Sequence, residues 1–344
     1  MFKQIKHIYS FFRDDSQIHL IKSKASYFIN YLKITCFSWL NRKKKIVVIS
    51  LIEHIGDIIA NEPVSREIRK KYPESIIIWF VRRPYKDLLI YNLNIDKVFT
   101  VFCLATWILI CKKKIRFEAV YDLHFSGRAC KICHLPLKKD NVDHSINGTN
   151  YFNYGGLLKA VCLHNGIELK ETVPKMYIPS RVFSRSKRFF PAEKYIVIHC
   201  ASNEEIKDWD DKKWDLLVYK IINDYRYPVV EIGSIRKISV KSDYYHNLCG
   251  KLSILESAVL IKKAVLFIGI DSGPAHMANA LETPGVILLG EYYFGMKDYN
   301  PYSGKYGSLE NCGLVYSKDL VKNIPVETVL ENVHSLITKK YDLR

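Results

Sequence analysis

The sequence predicts an α/β protein made of two Rossmann-like, doubly wound halves, and three observations carry that expectation. Short runs rich in apolar residues recur along the chain, each four to six residues long, as the strands of a parallel sheet require. Most are followed by a Gly, Asp or Ser turn and then a helix-like stretch. The alternation lapses near residue 180 and restarts near residue 194, which divides the 344 residues into two halves.

The first half opens with Ile46-Val47-Val48-Ile49-Ser50-Leu51, then a Gly56-Asp57 turn and a helix predicted from Ile58 to Lys71, stopped by Pro73. Strands are predicted at 76–81, 98–101 and 119–123. A basic stretch with Pro191, residues 180–193, reads as a linker. In the second half, strands are predicted at 195–199, 229–232, 265–268 and 286–289, and helices near 211–224, 253–263 and 274–281. An amphipathic segment from Val326 to Lys339 closes the chain. The domains expected are therefore an extension at 1–45, a first domain at 46–180, a second at 190–325 and a C-terminal helix at 326–344.

Composition narrows the function classes. With 48% apolar and 25% charged residues, and only 16 Gly and 12 Pro, the chain is neither disordered nor fibrous. The 52 Lys/Arg against 35 Asp/Glu give a net +17, which favours an anionic partner. Residues 1–45 hold ten Lys/Arg against Asp14 and Asp15, so +8 of that excess lies there. In that segment Tyr27, Phe28, Tyr31, Leu32 and Trp39 alternate with Lys22, Lys24, Lys33 and Arg42, and Lys33 interrupts what would otherwise be an apolar stretch. Two readings stay open: a helix lying on an anionic membrane surface, or a helical extension packed on the body. No zinc spacing, RNP-like motif or recognition helix accompanies the charge, so nucleic acid is not the expected partner.

Nine scattered cysteines fit reduced thiols in a cytosolic protein. Cys130-Lys-Ile-Cys133-His134 matches a haem-attachment pattern, but no export signal is visible, and the two cysteines read as thiols packed among helices. Asn147-Gly148-Thr149 would be a glycosylation sequon only in a secreted eukaryotic chain.

In open α/β sheets ligands bind beyond the carboxyl ends of the strands, so chemistry is expected in the loops after Leu51, His199, Ile232 and Ile270. Gly269-Ile270-Asp271-Ser272-Gly273-Pro274-Ala275-His276 runs from a strand into a helix. Ser272 is a candidate N-cap, Gly273 permits close approach, and the helix dipole favours an anion. The bland alternative is a capped turn with a packed histidine. After His199, the small polar residues Ser202 and Asn203 followed by Lys207 suit a diphosphate, or are simply a solvated loop. Asp57 is either a carboxylate favoured at a helix start or a general base.

Taken in order, Gly56-Asp57-Ile58-Ile59 with Pro63, Tyr72-Pro73, Asp122-Leu123-His124, His199 to Trp209, Gly250 to Glu256, and Asp271 to Ala278 with Pro284 resemble glycosyltransferase family 9, the bacterial heptosyltransferases. The likeness runs from about residue 45 to 305. It implies a GT-B fold, two Rossmann-like domains facing a central cleft, the acceptor on the first half and the nucleotide-sugar on the second. It further implies inverting, metal-independent transfer, with no cofactor and no metal site. The co-substrate would be ADP-heptose, and the acceptor a lipopolysaccharide core or other lipid-linked glycan at the inner face of the cytoplasmic membrane.

By the same resemblance Asp57 is the base, Lys207 meets the diphosphate beside Ser202 and Asn203, and Asp271 meets the transferred sugar. Ser272, Gly273 and His276 would line the phosphate site, and Leu252 falls where the family's backbone holds the base. Two departures stand out. Ser234-Ile235-Arg236-Lys237 has no acid where the family grips the ribose, and Glu231 lies earlier, inside the strand. Glu291-Tyr292-Tyr293-Phe294-Gly295 replaces the usual proline-rich turn. A capsule or O-antigen transferase using another donor, or a non-catalytic sugar-binding relative, are the alternatives.

Overall fold

The computed structural model describes residues 2–112, 115, 117–186, 188–189, 193–292, 296 and 298–341, with side chains from residue 17 to 339. In chain order the elements are α1 (Phe2–Leu40), β1 (Ile46–Ser50), α2 (Ile55–Ala60), α3 (Glu62–Lys71), β2 (Ile76–Arg82), β3 (Lys97–Val101), α4 (Leu104–Cys111), β4 (Ala119–Asp122), α5 (Leu157–His164) and α6 (Ser180–Ser186). They continue with β5 (Ile196–His199), α7 (Asp211–Tyr225), β6 (Val229–Glu231), β7 (Tyr245–Asn247), α8 (Ile254–Lys263), β8 (Leu266–Ile270), α9 (Gly273–Ala280), β9 (Gly285–Gly290), α10 (Gly304–Gly307), β10 (Cys312–Ser317) and α11 (Val326–Tyr341).

The chain separates into two compact units. The first holds Met1–His54, Val64–Tyr151 and Lys159–Lys170; the second holds Ile55–Pro63, Phe152–Leu158 and Glu171–Arg344. The short helix carrying Gly56 and Asp57 therefore belongs to the second unit.

The first unit is built on a four-stranded sheet in the order β3-β2-β1-β4, every pair parallel. β1 is fully buried, which explains its unbroken apolar sequence. Because the order reverses at β1, the loops after β1 and β4 flank a switch point. α1 is one 39-residue helix. Among its described side chains Ser23, Asn30 and Ile34 are buried, facing β3 and α4; Asn30 donates to the Thr100 carbonyl at 3.2 Å and Phe37 meets Phe99 edge-on at 5.8 Å. Ile21, Phe28, Leu32 and Trp39 on the same helix are more than half exposed. Among the described residues no helix is long and apolar enough to cross a membrane.

The second unit carries a six-stranded sheet in the order β10-β9-β8-β5-β6-β7, all parallel. This is the 3-2-1-4-5-6 order of a dinucleotide-type sheet, with its switch point between β5 and β8. The sequence pattern missed β7 and β10, where the apolar runs are too short or too mixed to read. α7 is N-capped by Asp210, which accepts from the Lys212 and Lys213 amides, and α8 by a Ser253–Glu256 capping box.

Two expectations need correcting. The helix predicted from Ile58 to Lys71 is two helices, interrupted at Asn61 before Pro63, whose missing N–H cannot continue the ladder. Residues 180–186, expected as an irregular linker, form α6, which lies on α8 through an Arg185–Glu256 ion pair at 3.2 Å and Lys262 over the Phe183 ring. Pro191, Tyr293, Phe294, Gly295 and residues 342–344 lie outside the described residues.

Candidate active site

The loops that flank the switch point of the second sheet bring most of the singled-out residues together. β8 ends at Ile270 and delivers Asp271, Ser272 and Gly273 into the start of α9. β5 ends at His199, and the loop beyond it closes into a single 3-10 turn that presents Lys207.

Asp271 is the hub. Its Oδ2 accepts from Lys207 Nζ at 3.1 Å, its Oδ1 accepts from the Tyr302 hydroxyl at 3.2 Å, and His276 Nε2 lies 3.9 Å from Oδ1. Burial alone would raise the Asp271 carboxyl; the Lys207 and His276 charges hold it below the ordinary carboxylate range. Burial alone would lower Lys207, but Asp271 and Glu204 together push it above the usual ammonium value, so it stays charged. The ammonium also lies 5.1 Å from the centre of the Tyr292 ring. Its second anionic neighbour, Glu204 at 3.4 Å, is an exposed side chain that a stronger anion can displace.

Ser272 occupies the N-cap of α9, yet its hydroxyl does not cap the helix. It donates to the Ile270 carbonyl and shares a 3.0 Å hydrogen bond with His199 Nδ1. Burial pushes His199 down to about 4, so this imidazole is neutral near pH 7. Gly233, at φ +134, lies against the same ring: a Cβ there would stand 3.1 Å from His199 Cδ2.

α2 meets α9 by glycine on both sides. A Cβ on Gly56 would lie 2.7 Å from His276 Cδ2, and one on Gly273 would lie 2.9 Å from Ile55 Cβ. Asp57, half-buried in the first turn of α2, is thereby brought close enough to His276 to oppose the burial that lowers that imidazole. Asp57 and Asp271 thus both act electrostatically on one histidine, within one compact unit.

Three singled-out residues stand further out. Ser202 is engaged inside its own loop, its hydroxyl donating to the Glu204 carbonyl and its amide to Asp208 Oδ1. Asn203 is exposed on the same loop. Leu252 sits just before the Ser253 cap of α8, after the edge strand β7. The departure at the ribose position is sharper in three dimensions. Glu231 is fully buried and accepts from the Tyr245 hydroxyl and from the Lys237 amide at 2.7 Å, so this acid braces the loop from below.

Sequence reasoning missed Tyr302 and the contact between His199 and Ser272, and it met Tyr292 only as a departure from the family pattern, without its place over Lys207. Tyr302 lies far along the chain in a loop without periodicity, held by Asn300, whose side-chain oxygen accepts its amide at 2.9 Å. The only available signal was its place after Asn300-Pro301, a turn-forming pair.

Comparison with known proteins identifies the family and the fold. The model of "Glycosyltransferase family 9 (heptosyltransferase)" matches residues 153–329, just over half of the chain. Lipopolysaccharide heptosyltransferase 1 of Campylobacter coli is 25% identical over 303 residues, covering 72% of this chain and 84% of that one. Among solved structures, a family 9 glycosyl transferase from Veillonella parvula DSM 2008 superposes with a TM-score of 0.63 at 15% identity, over 86% of this chain and 97% of its own. The E. coli ADP-heptose lps heptosyltransferase II does so with a TM-score of 0.62 at 17% identity, over 86% and 99%. The fold is the α/β GT-B fold, and the chain belongs to glycosyltransferase family 9.

Proposed function

We propose that this glycosyltransferase moves a heptose or related sugar from ADP-heptose onto a lipopolysaccharide core or other lipid-linked glycan, with inversion and without a metal at the reacting carbon. The observation that carries the reading is the run Lys207–Asp271–His276–Asp57, a cation and two carboxylates gathered around one histidine at the carboxyl edge of a parallel sheet. Transfer from a nucleoside diphosphate sugar develops negative charge on the leaving diphosphate and positive charge at the sugar carbon. Lys207 and the N-terminus of α9 answer the first, and Asp271 faces the second. Asp57 takes the proton from the acceptor hydroxyl as it attacks, and the buried His276 feels the charge of both acids.

The donor base is the point where a second reading has a specific observation behind it. Glu231 is consumed by Tyr245 and Lys237, and the following loop offers Ser234 and Arg236 in place of an acid. That supports a uridine or guanosine diphosphate sugar, and with it a capsule or O-antigen substrate, as the competing assignment. Thermal shift with ADP, UDP and GDP separates the two, since the bound nucleotide raises Tm by mass action. At the membrane, the exposed Phe28, Leu32 and Trp39 of α1 among Lys22, Lys24 and Lys33 support binding to an anionic surface next to the acceptor.

The test of the mechanism is Asp57→Asn and Asp57→Ala. Transfer is expected to disappear in both while donor binding, read by calorimetry, persists. Turnover equal to that of the native chain would rule out Asp57 as the base.

A further inference from the structure

The first unit holds a cluster that transfer chemistry does not use. His19 on α1, Cys103 at the N-cap of α4, and Cys130 and Cys133 on the turn after β4 place one imidazole nitrogen and three thiol sulfurs all within 4.8 Å of one another. Cys130 Sγ and His19 Nε2 are 3.9 Å apart, and Cys103 Sγ is 3.0 Å from the Ser23 hydroxyl. Cys103 and Cys130 are buried, and all four residues belong to the same compact unit.

The local backbone at Cys130–Cys133 is a reversing turn. Residues 128–137 double back: the Leu137 amide donates to the Arg128 carbonyl at 2.7 Å and the Cys130 amide to Leu135 at 3.0 Å. Between them the chain turns through His134 at φ +52, whose amide donates to the Cys130 carbonyl at 2.9 Å. Both sulfurs of the C-x-x-C pair thereby lie within 4.8 Å of the His19 and Cys103 donor atoms.

We propose that His19, Cys103, Cys130 and Cys133 form a closed structural zinc site. Three thiolates and one imidazole are a zinc ligand set, and the C-x-x-C spacing is a zinc spacing. Tetrahedral zinc with these ligands needs donor atoms roughly 3.5–3.8 Å apart, close to the 3.9 Å already present between Cys130 and His19. Four protein ligands leave no open position, so the ion carries no substrate chemistry. Its consequence is mechanical: it ties α1 to α4 and to the turn beyond β4. The reading is independent of the sugar-transfer proposal, because none of these residues belongs to that site.

The experiment uses the full chain purified under reducing conditions. Elemental analysis is expected to find about one zinc per chain. Cobalt(II) added to chelator-treated protein should give thiolate-to-cobalt charge transfer and the intense visible bands of a tetrahedral site. Cys133→Ser should weaken zinc binding by more than the 10–100-fold typical of losing an outer-shell partner, whereas Cys36→Ser, an exposed thiol on α1, should leave it unchanged. Should Cys133→Ser fail to fold, the cobalt spectrum of the native sequence decides alone. Zinc retained in Cys133→Ser, a cobalt spectrum without thiolate bands, a disulfide between these cysteines in the reduced chain, or iron in place of zinc would each overturn the assignment.

Discussion

Both sheets place an Asp, a His and a Lys at their switch points, yet the two clusters are built to opposite ends. Beyond β4, Asp122 is bonded to His124 Nδ1 at 2.6 Å and to Trp107 Nε1 at 2.8 Å, while His124 Nε2 accepts from the Ile52 amide. Lys139 Nζ donates to the Asp122 and His124 carbonyls and to Asn165 Oδ1, and burial pushes this ammonium down to about 8. The three acceptors around Lys139 are all protein oxygens, and both side-chain oxygens of Asp122 are engaged. Beyond β8, Lys207 pairs with the buried Asp271 and the exposed Glu204 and lies over the Tyr292 ring. The same residue types therefore stabilise one sheet and leave a charge to offer at the other. What separates structure from function here is the valence left over.

That contrast is most directly broken by deleting each hub in turn. Asp122→Ala leaves His124 and Trp107 buried without their acceptor, removes the charge that faces the buried Lys139, and is expected to cost about 3–5 kcal/mol of stability. Urea unfolding measures it, and the turnover of the molecules still folded should stay within a few-fold of native. A transfer rate that collapses with the fold intact would move Asp122 into the chemistry.

Lys207→Met is the mirror experiment. Removing a donor aimed at developing charge costs about 10²–10³ in rate, or roughly 2.7–4 kcal/mol of transition-state stabilisation. The loss should appear in kcat/KM for the donor, with a smaller change in the urea midpoint than Asp122→Ala gives. An equal loss in both assays would make the Lys207–Asp271 pair a second structural bridge.

The two clusters were not equally legible in the sequence. Asp271-Ser272-Gly273 and Lys207 could be read because a buried strand ends beside each of them and the next residues are short and polar. The buried strands β1, β5, β8 and β9 were legible for the same reason: an apolar run with no polar face has few other uses. Tyr302 and Glu231 were not, since their roles depend on a partner 31 and 14 residues away that no local period announces. Nor could spacing show that His19 meets Cys130 across 111 residues, although Cys130 and Cys133 themselves were plain. What the sequence lacks in each case is the long-range pairing. The ingredients were present, but not their geometry.

Acid separates the two clusters on the pH axis. His199 falls from 6.5 to about 4 on burial, so the unfolded chain takes up a proton first as pH drops. Its contribution is intact above pH 6.5 and lost progressively down to about pH 4, about 1.4 kcal/mol per unit and about 3 kcal/mol in all. Burial would raise Asp122, but His124, Lys139 and Trp107 hold it at about 2 against 3.8. Its contribution of about 2 kcal/mol is therefore present above pH 3.8 and lost only below it. The stability difference between the native chain and His199→Gln should change between pH 6.5 and 4 and be flat above. A difference independent of pH across that window would mean His199 is protonated in the folded state.

The smallest effect expected concerns how the second unit sets Asp57 relative to Asp271. Gly273 lets α9 approach Ile55 so closely that a Cβ would stand 2.9 Å from Ile55 Cβ and 3.0 Å from its Cγ2. Gly273→Ala must therefore push α2 away or crowd it, at about 1–3 kcal/mol of overpacking. Ile55→Ala removes Cγ2 and keeps the Cβ, so the double variant should recover only part of that loss, a coupling of about 0.5–3 kcal/mol in a mutant cycle. Turnover should be more sensitive than stability, because a displacement of about 1 Å between base and reacting centre can cost 10²-fold. Rate recovered along with stability in the double variant would assign this glycine to spacing between the helices. Stability recovered without rate would assign it instead to close approach of the diphosphate to the start of α9.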